Sequence, residues 1–307
     1  MNAAMRPTRA AMPQVRGRLL RDEPMAAHCT WRAGGRVDWL FEPADREDLL
    51  QFLRELDPAV PVTWIGLGSN LLVRDGGLRG VAIAPLKGLK RIEEVEPGLL
   101  RAEAGVSCAR LARQCAAAER SGLDFMAGIP GTVGGALAMN AGAFGGETWE
   151  RVESVETVDR TGELRRRDRA EFKVAYRQVE KPVAEEWFLS ADFRLPPRGT
   201  DTGAEIQSLL QRRNQSQPVG QPSCGSVFRN PPGDHAARLI EACGLKGHCI
   251  GDACVSKKHA NFIINTGSAR AVDIEKLIEL LRDRVEQKFG IRLRPEVHII
   301  GEAEERS

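Results

Sequence analysis

Three glycine-dense segments restrict this chain's fold more than any other feature: Gly66-Leu67-Gly68-Ser69-Asn70, Gly128-Ile129-Pro130-Gly131-Thr132-Val133-Gly134-Gly135 and Asn140-Ala141-Gly142-Ala143-Phe144-Gly145-Gly146. Glycine lets backbone amides approach a ligand closely and reach positive φ, so several such loops in one region suit a diphosphate cradled by N–H groups. Each segment taken singly is better read as an ordinary tight turn. None has the Rossmann spacing after a strand, and no G-x-x-x-x-G-K-[ST] run exists, so neither the usual dehydrogenase dinucleotide fold nor a P-loop ATPase is supported.

Between Arg36 and Asp159, short β-branched or aromatic runs (Val37–Phe41, Val62–Ile65, Val81–Ala84, Val152–Val158) alternate with glycine-rich turns. Helices are predicted over Arg46–Leu56, ended before Pro58, and over Ser107–Arg120, with a Ser107 N-cap and a stop at Gly122. This is a mixed α/β region. At 307 residues the chain exceeds one ordinary core, and the stiff turn Pro196-Pro197-Arg198-Gly199-Thr200 marks a domain boundary. Beyond it the pattern predicts helices over Ala204–Arg213, over Asp234–Cys243 with Asp234 as N-cap, and over Asp273–Phe289. The last places Ile274, Leu277, Ile278, Leu281 and Val285 on one face and ends at Gly290. Strands are expected at Phe262–Ile264 and Val297–Ile300.

Composition excludes several classes. The 44 basic and 42 acidic residues leave a net charge of +2, and Arg165–Arg167 is balanced by Glu163, Asp168 and Glu171, so no nucleic-acid partner is expected. No run approaches the ~18 apolar residues of a membrane span. Met1–Arg21 is broken by arginines and prolines, lacks a signal-peptide core, and reads as a loosely ordered tail over residues 1–23. Its arginine-rich, acid-free start is shared with transit peptides, but serine is not enriched. Seven cysteines (Cys29, Cys108, Cys115, Cys224, Cys243, Cys249, Cys254) with no C-x-x-C pair argue against a disulfide framework and a structural zinc site. Cys249 and Cys254 with His248 and Asp252 match no standard zinc spacing. No metal is expected, and a reducing cytoplasm fits.

The segment Pro222-Ser223-Cys224-Gly225-Ser226-Val227-Phe228-Arg229-Asn230-Pro231 holds a hydroxyl, a thiol and a cation between proline and glycine boundaries. Such a loop can present a proton donor beside an anion site, and it can equally be a turn–strand–turn. No G-x-S-x-G elbow is present. His235 reads as a first-turn surface histidine.

Six ordered motifs resemble the UDP-N-acetylenolpyruvoylglucosamine reductase family from about Pro24 to Gly301: Thr30-Trp31-Arg32-Ala33-Gly34-Gly35, Gly66 to Leu72, Ala127 to Ala136, Ala175-Tyr176-Arg177, Gly225 to Pro231, and Pro295-Glu296-Val297. The resemblance implies an α+β fold. A two-lobed FAD-binding domain of the vanillyl-alcohol-oxidase type would cover 24–197 (lobes 24–86 and 87–197), with a smaller α+β substrate-binding domain over 198–307. It further implies non-covalent FAD that takes a hydride from NADPH and passes it from flavin N5 to C3 of the enolpyruvyl ether in UDP-N-acetylglucosamine enolpyruvate. The product is UDP-N-acetylmuramate, a peptidoglycan precursor.

By the same resemblance, Arg177 and Glu296 bind and polarise the substrate carboxylate, and Ser226 delivers the proton to C2. A positioned arginine fork suits a carboxylate, and preorganised charge at a developing anion lowers such barriers. Gly66, Gly68, Ser69, Asn70, Leu71, Gly128, Ile129, Pro130, Gly131, Thr132, Gly134, Gly135, Asn140 and Ala141 would hold FAD. Tyr176, Arg213, Arg229 and Asn230 would face the substrate, while His28 and His259 stay structural. Many relatives read Tyr-Arg-x-Ser where this chain has Tyr176-Arg177-Gln178-Val179, and lysine at the positions of Ser216 and Arg229. The stretch from Arg177 to Arg198 is too short for an added tyrosine-bearing loop, which places the chain in the shorter-looped second type. A monomer is expected. The rival readings are another flavin oxidoreductase of this fold and a non-catalytic flavin or nucleotide-sugar sensor.

Overall fold

The computed structural model describes residues 12–199 and 204–304. The first lobe contains β1 (Arg18–Pro24), β2 (Arg36–Glu42), β3 (Val62–Trp64), β4 (Leu71–Val73) and β5 (Leu78–Ile83). Four of these form a sheet in the order β1-β2-β5-β3, with β1 antiparallel to β2 and the others parallel. Helix α1 (Arg46–Glu55) begins at Asp45, whose carboxylate accepts the Asp48 N–H at 2.9 Å. It buries Leu49, Leu50, Phe52 and Leu53, and Phe52 stacks on Phe41 at 4.2 Å.

The loose tail expected over residues 1–23 is corrected by β1. Leu19 and Leu20 pack on the first lobe's apolar clusters, and Asp48 accepts the N–H groups of Arg16 (2.7 Å) and Gly17 (2.9 Å), tying the segment to α1. Residues 1–11 of that expectation lie outside the described residues.

The second lobe contains β6 (Ile92–Glu96), β7 (Leu99–Glu103), α2 (Cys108–Ala117), α3 (Val133–Met139), the small hairpin β8 (Gly142–Ala143) and β9 (Gly146–Glu147), then β10 (Val152–Asp159), β11 (Leu164–Asp168), β12 (Lys173–Ala175), β13 (Gln178–Glu180) and β14 (Glu186–Arg194). An antiparallel sheet in the order β11-β10-β14-β7-β6 packs against α2 and α3 around Trp149 and Phe193. Ser107 caps α2 as expected. Helix α4 (Ala204–Ser216) buries Ile206 in this same core, with Leu210 packed against it. The domain boundary expected at 197/198 therefore falls after α4, because the Pro196-Pro197 turn redirects the chain without removing it from the lobe.

The C-terminal unit contains α5 (Ala236–Ala242), β15 (Cys249–Ile250), β16 (Ala253–Val255), β17 (Ile263–Asn265), α6 (Ala271–Phe289) and β18 (His298–Ile300). Its core takes in Trp31, Ala33 and Leu72 from the first lobe, and β18 pairs parallel with β4. The motif around Glu296 is thereby set beside the Gly66–Asn70 loop. Two local expectations are corrected. The N-cap of α5 is His235, while Asp234 accepts the His235 N–H and Asn230 Oδ1 accepts the Ala236 N–H. Cys249 and Cys254 form a disulfide, because the tight turn at Gly251-Asp252 sets them directly opposite across the β15–β16 hairpin. Counting cysteines could not reveal that pairing. Among the described residues no helix is long and apolar enough to cross a membrane.

Candidate active site

The loop from β3 to β4 turns at Gly68, whose φ of +61° and contact with the His28 carbonyl leave no room for a Cβ. The turn is pinned through the Gly68 carbonyl, which accepts from Thr30 N at 3.1 Å. Among the described residues the backbone N–H groups of Gly66 through Asn70 meet no protein acceptor. A row of free amides on a rigid loop is the arrangement that holds a diphosphate.

The second glycine segment forms α3, which the sequence reading did not anticipate. Thr132 caps it by accepting the Gly135 N–H at 3.2 Å. Asn140 closes it in the left-handed conformation, with φ +48°. Buried Asn140 then ties three pieces together: its Nδ2 donates to Glu147 Oε2 (2.7 Å) and to Ala175 O (3.2 Å), and its Oδ1 accepts from Trp149 N (3.1 Å). One side chain thus orients the β8–β9 hairpin and the β12–β13 turn that carries Arg177.

Arg177 sits at that turn with φ +54°. Its guanidinium donates to Glu296 Oε1 (3.1 Å), Asn140 O (3.2 Å) and Gly142 O (2.6 Å), and Tyr176 lies against it at 5.0 Å. Three of its five N–H donors are engaged, which leaves two for an incoming acid. Burial pushes the Glu296 carboxyl above the usual carboxylate range, an effect that outweighs the opposing pull of Arg177 and Arg229. Ser226 follows Gly225 and precedes buried Val227, whose N–H donates to Asn261 O at 2.9 Å. Among the described residues the Ser226 hydroxyl makes no hydrogen bond.

Arg177, Ser226 and Glu296 line one cavity of about 280 Å³, together with Ser69, Asn70, Gly128, Ile129, Pro130, Ala141 and Arg213. A second cavity of about 150 Å³ is lined by Gly66, Thr132, Gly134 and Gly135. The pair falls within the roughly 300–1,000 Å³ of cofactor and drug-sized sites. Gly68, Leu71, Gly131, Asn140, Tyr176, Arg229 and Asn230 line neither cavity. Asn230 Oδ1 accepts the Ala236 N–H at the start of α5, and Arg229 keeps its Nε buried without a hydrogen bond among the described residues.

The sequence reading missed Gln217 and gave no role to Phe144 of the third glycine segment; both line the charged cavity, as does Cys224, the thiol of the Pro222–Pro231 segment. Burial pushes the Cys224 thiol up to about 11, and Thr30 Oγ1 lies 3.3 Å from its sulfur, so it is a packed, protonated group. Lys257 and Lys258 were missed as well. They line a cavity of about 840 Å³ beside the Asn214–Gln221 segment, and their only signal was adjacency of two cations before a short strand.

Two family models match the chain: an FAD binding domain over residues 37–168, and the UDP-N-acetylenolpyruvoylglucosamine reductase C-terminal domain over residues 217–300. The UDP-N-acetylenolpyruvoylglucosamine reductase of Alkalilimnicola ehrlichii is 58% identical over 289 residues, covering 94% of this chain and 96% of that one. That of Methylococcus capsulatus is 55% identical over 297 residues, covering 96% and 97%. The solved structure of the Thermus caldophilus UDP-N-acetylenolpyruvylglucosamine reductase aligns over 93% of this chain and 99% of its own, with a TM-score of 0.77 and 30% identity.

Proposed function

Because the chain belongs to the UDP-N-acetylenolpyruvoylglucosamine reductases, we propose that its cavity bearing Arg177, Ser226 and Glu296 is where the enolpyruvyl group is reduced. The protein is an FAD-dependent enzyme of peptidoglycan precursor synthesis that uses NADPH. Bound FAD supplies the relay of hydride from NADPH to the substrate's C3. The free amides of Gly66–Asn70 and the glycine-lined cavity beside α3 fit the diphosphate of such a dinucleotide.

Hydride arrival at C3 puts negative charge on C2 and its carboxylate. The two free N–H groups of Arg177 receive that carboxylate, held in place by the Asn140 and Gly142 carbonyls. Glu296, whose carboxyl burial holds above the usual range and which accepts from Arg177 Nε, binds and polarises that carboxylate together with Arg177, so charge builds against groups already in place. Ser226, with an unengaged hydroxyl, gives its proton to C2. A serine suffices because the carbanion is strongly basic and the donor is held close. The cavity with Lys257 and Lys258 offers the positive charge a nucleotide diphosphate needs, and its wall includes Asn214, the residue after Arg213 of the inner cavity.

The observation that carries this reading is the convergence of three sequence-distant side chains on one cavity walled by the cofactor loops. Its test is Arg177→Ala. NADPH should still bleach the flavin, while kcat/KM for the UDP-sugar falls by ~10³, since an engaged charge and its two spare donors are lost. Unchanged kinetics for the UDP-sugar would refute it.

A further inference from the structure

A proton donor needs a fixed direction, yet among the described residues the stretch that carries Ser226 belongs to no sheet. It makes one isolated bridge, Phe228 to Pro295, flanked by bonds from Glu296 N to Val227 O at 2.7 Å and from Arg229 N to Arg294 O at 3.0 Å. Phe228 is then the non-hydrogen-bonded member of an antiparallel pair, and its own N–H and C=O point to the opposite edge. Upstream lies Gly225, at φ +70° with open space where a Cβ would stand, so no packing around that turn sets the direction of Ser226.

Asn261, in the loop between β16 and β17, fills the opposite edge. Its Oδ1 accepts the Phe228 N–H at 3.0 Å, its Nδ2 donates to the Phe228 carbonyl at 2.8 Å, and its own carbonyl accepts the Val227 N–H at 2.9 Å. A single side-chain amide thus imitates a neighbouring strand. Asn261 is 3% exposed and Phe228 1%, so these bonds are made away from water, where an unpaired backbone group would be costly. The two residues after Ser226 are gripped from both sides, by the Glu296 backbone on one and by Asn261 on the other.

We propose that Asn261 is the positioning residue for Ser226: by holding Val227 and Phe228 it aims the hydroxyl at C2 of the substrate without touching the substrate itself. The inference rests on the reading of Ser226 as the proton donor. Asn261 lines neither the cavity of Arg177, Ser226 and Glu296 nor that of Lys257 and Lys258, whereas its neighbour Phe262 lines the first.

The test is a double-mutant cycle on the full-length, FAD-loaded enzyme, read in its two half-reactions. Asn261→Leu keeps the volume and removes both side-chain bonds. NADPH should bleach its flavin at the wild-type rate, whereas reoxidation by UDP-N-acetylglucosamine enolpyruvate should slow roughly tenfold, within the ~10² that a 1 Å misplacement costs. In a Ser226→Ala background the same substitution should cost nothing further, because no hydroxyl is left to aim. Asn261→Asp covers the case in which the leucine variant fails to fold. Its carboxylate still accepts the Phe228 N–H but sets an oxygen against the Phe228 carbonyl, and protonation restores a donor. Its reoxidation rate relative to wild type should recover as pH falls from about 8 to about 5, the range in which buried carboxyls take up a proton. Additive losses for Asn261→Leu and Ser226→Ala, equal slowing of both half-reactions, or a ratio for Asn261→Asp that is flat with pH would overturn the role of Asn261 and leave the proton-donor reading standing. Wild-type reoxidation in Ser226→Ala alone would overturn that reading and the role of Asn261 with it.

Discussion

The two cavities lined by the Gly66–Asn70 loop are built by different means. The outer one is mostly backbone, small side chains and aromatic rings, with Lys181 and Glu186 on its wall, whereas the inner one sets Arg177 against Glu296, with Arg213 beside them. Backbone donors are fixed by the fold and cannot titrate, so a cavity walled mainly by them offers shape and dipoles already aligned. The inner cavity carries side chains whose titration burial has shifted, Glu296 upward and Arg213 downward. The difference predicts that substitutions in the outer cavity alter cofactor affinity and leave saturated turnover intact. Substitutions in the inner one should do the reverse.

The largest effect expected is that of Arg177→Ala on substrate kinetics. It also leaves Glu296 buried without its cation, so the melting temperature at neutral pH should fall, and adding Glu296→Gln should restore stability without restoring activity. Recovery of activity in that double variant would break the comparison. Next in size is Glu296→Gln alone, expected to lower kcat by ~10² as a group that polarises the substrate carboxylate is lost. Its stability effect carries a definite sign. Burial raises the folded-state pKa of Glu296, so its stabilising contribution is complete below the unfolded carboxyl pKa of about 4.3 and is lost as pH rises through the raised value. Glu296→Gln should therefore gain melting temperature over wild type near neutral pH and gain little near pH 4. A gain of the same size at both would contradict the assigned cause.

In the outer cavity, Thr132→Ala removes the cap of α3, which is worth ~1 kcal/mol. FAD affinity should weaken by about fivefold, with kcat unchanged once FAD is saturating. A fall in kcat at saturation would blur the division between the cavities. The smallest effect is that of Cys224→Ser. The thiol faces the inner cavity but is packed and protonated, so turnover should stay within about twofold.

Much of this was legible in the sequence where a local rule was at work. Helices α1, α2 and α6 carry amphipathic faces, and Ser107 and Gly290 mark ends that the structure keeps. Helix α3 was hidden because Gly134 and Gly135 suppress its propensity, and what holds it is the Thr132 cap and bonds from Val133 and Gly134 to Val106 and Ala104 across the lobe. The residue types of the inner cavity were readable through the motifs. What positions Arg177 was not, because Asn140 and Gly142 lie 37 and 35 residues from it and Glu296 lies 119. The same limit explains Asn261, which lies 33 residues from the Phe228 backbone it holds.

The most direct test of the central claim, that this inner cavity completes the reduction by protonating C2, is anaerobic stopped-flow spectroscopy of Ser226→Ala. NADPH should bleach its bound flavin at the wild-type rate. On addition of UDP-N-acetylglucosamine enolpyruvate, return of the oxidised spectrum should be slower than wild type by ~10² or more. Return at the wild-type rate, with UDP-N-acetylmuramate formed, would contradict the account.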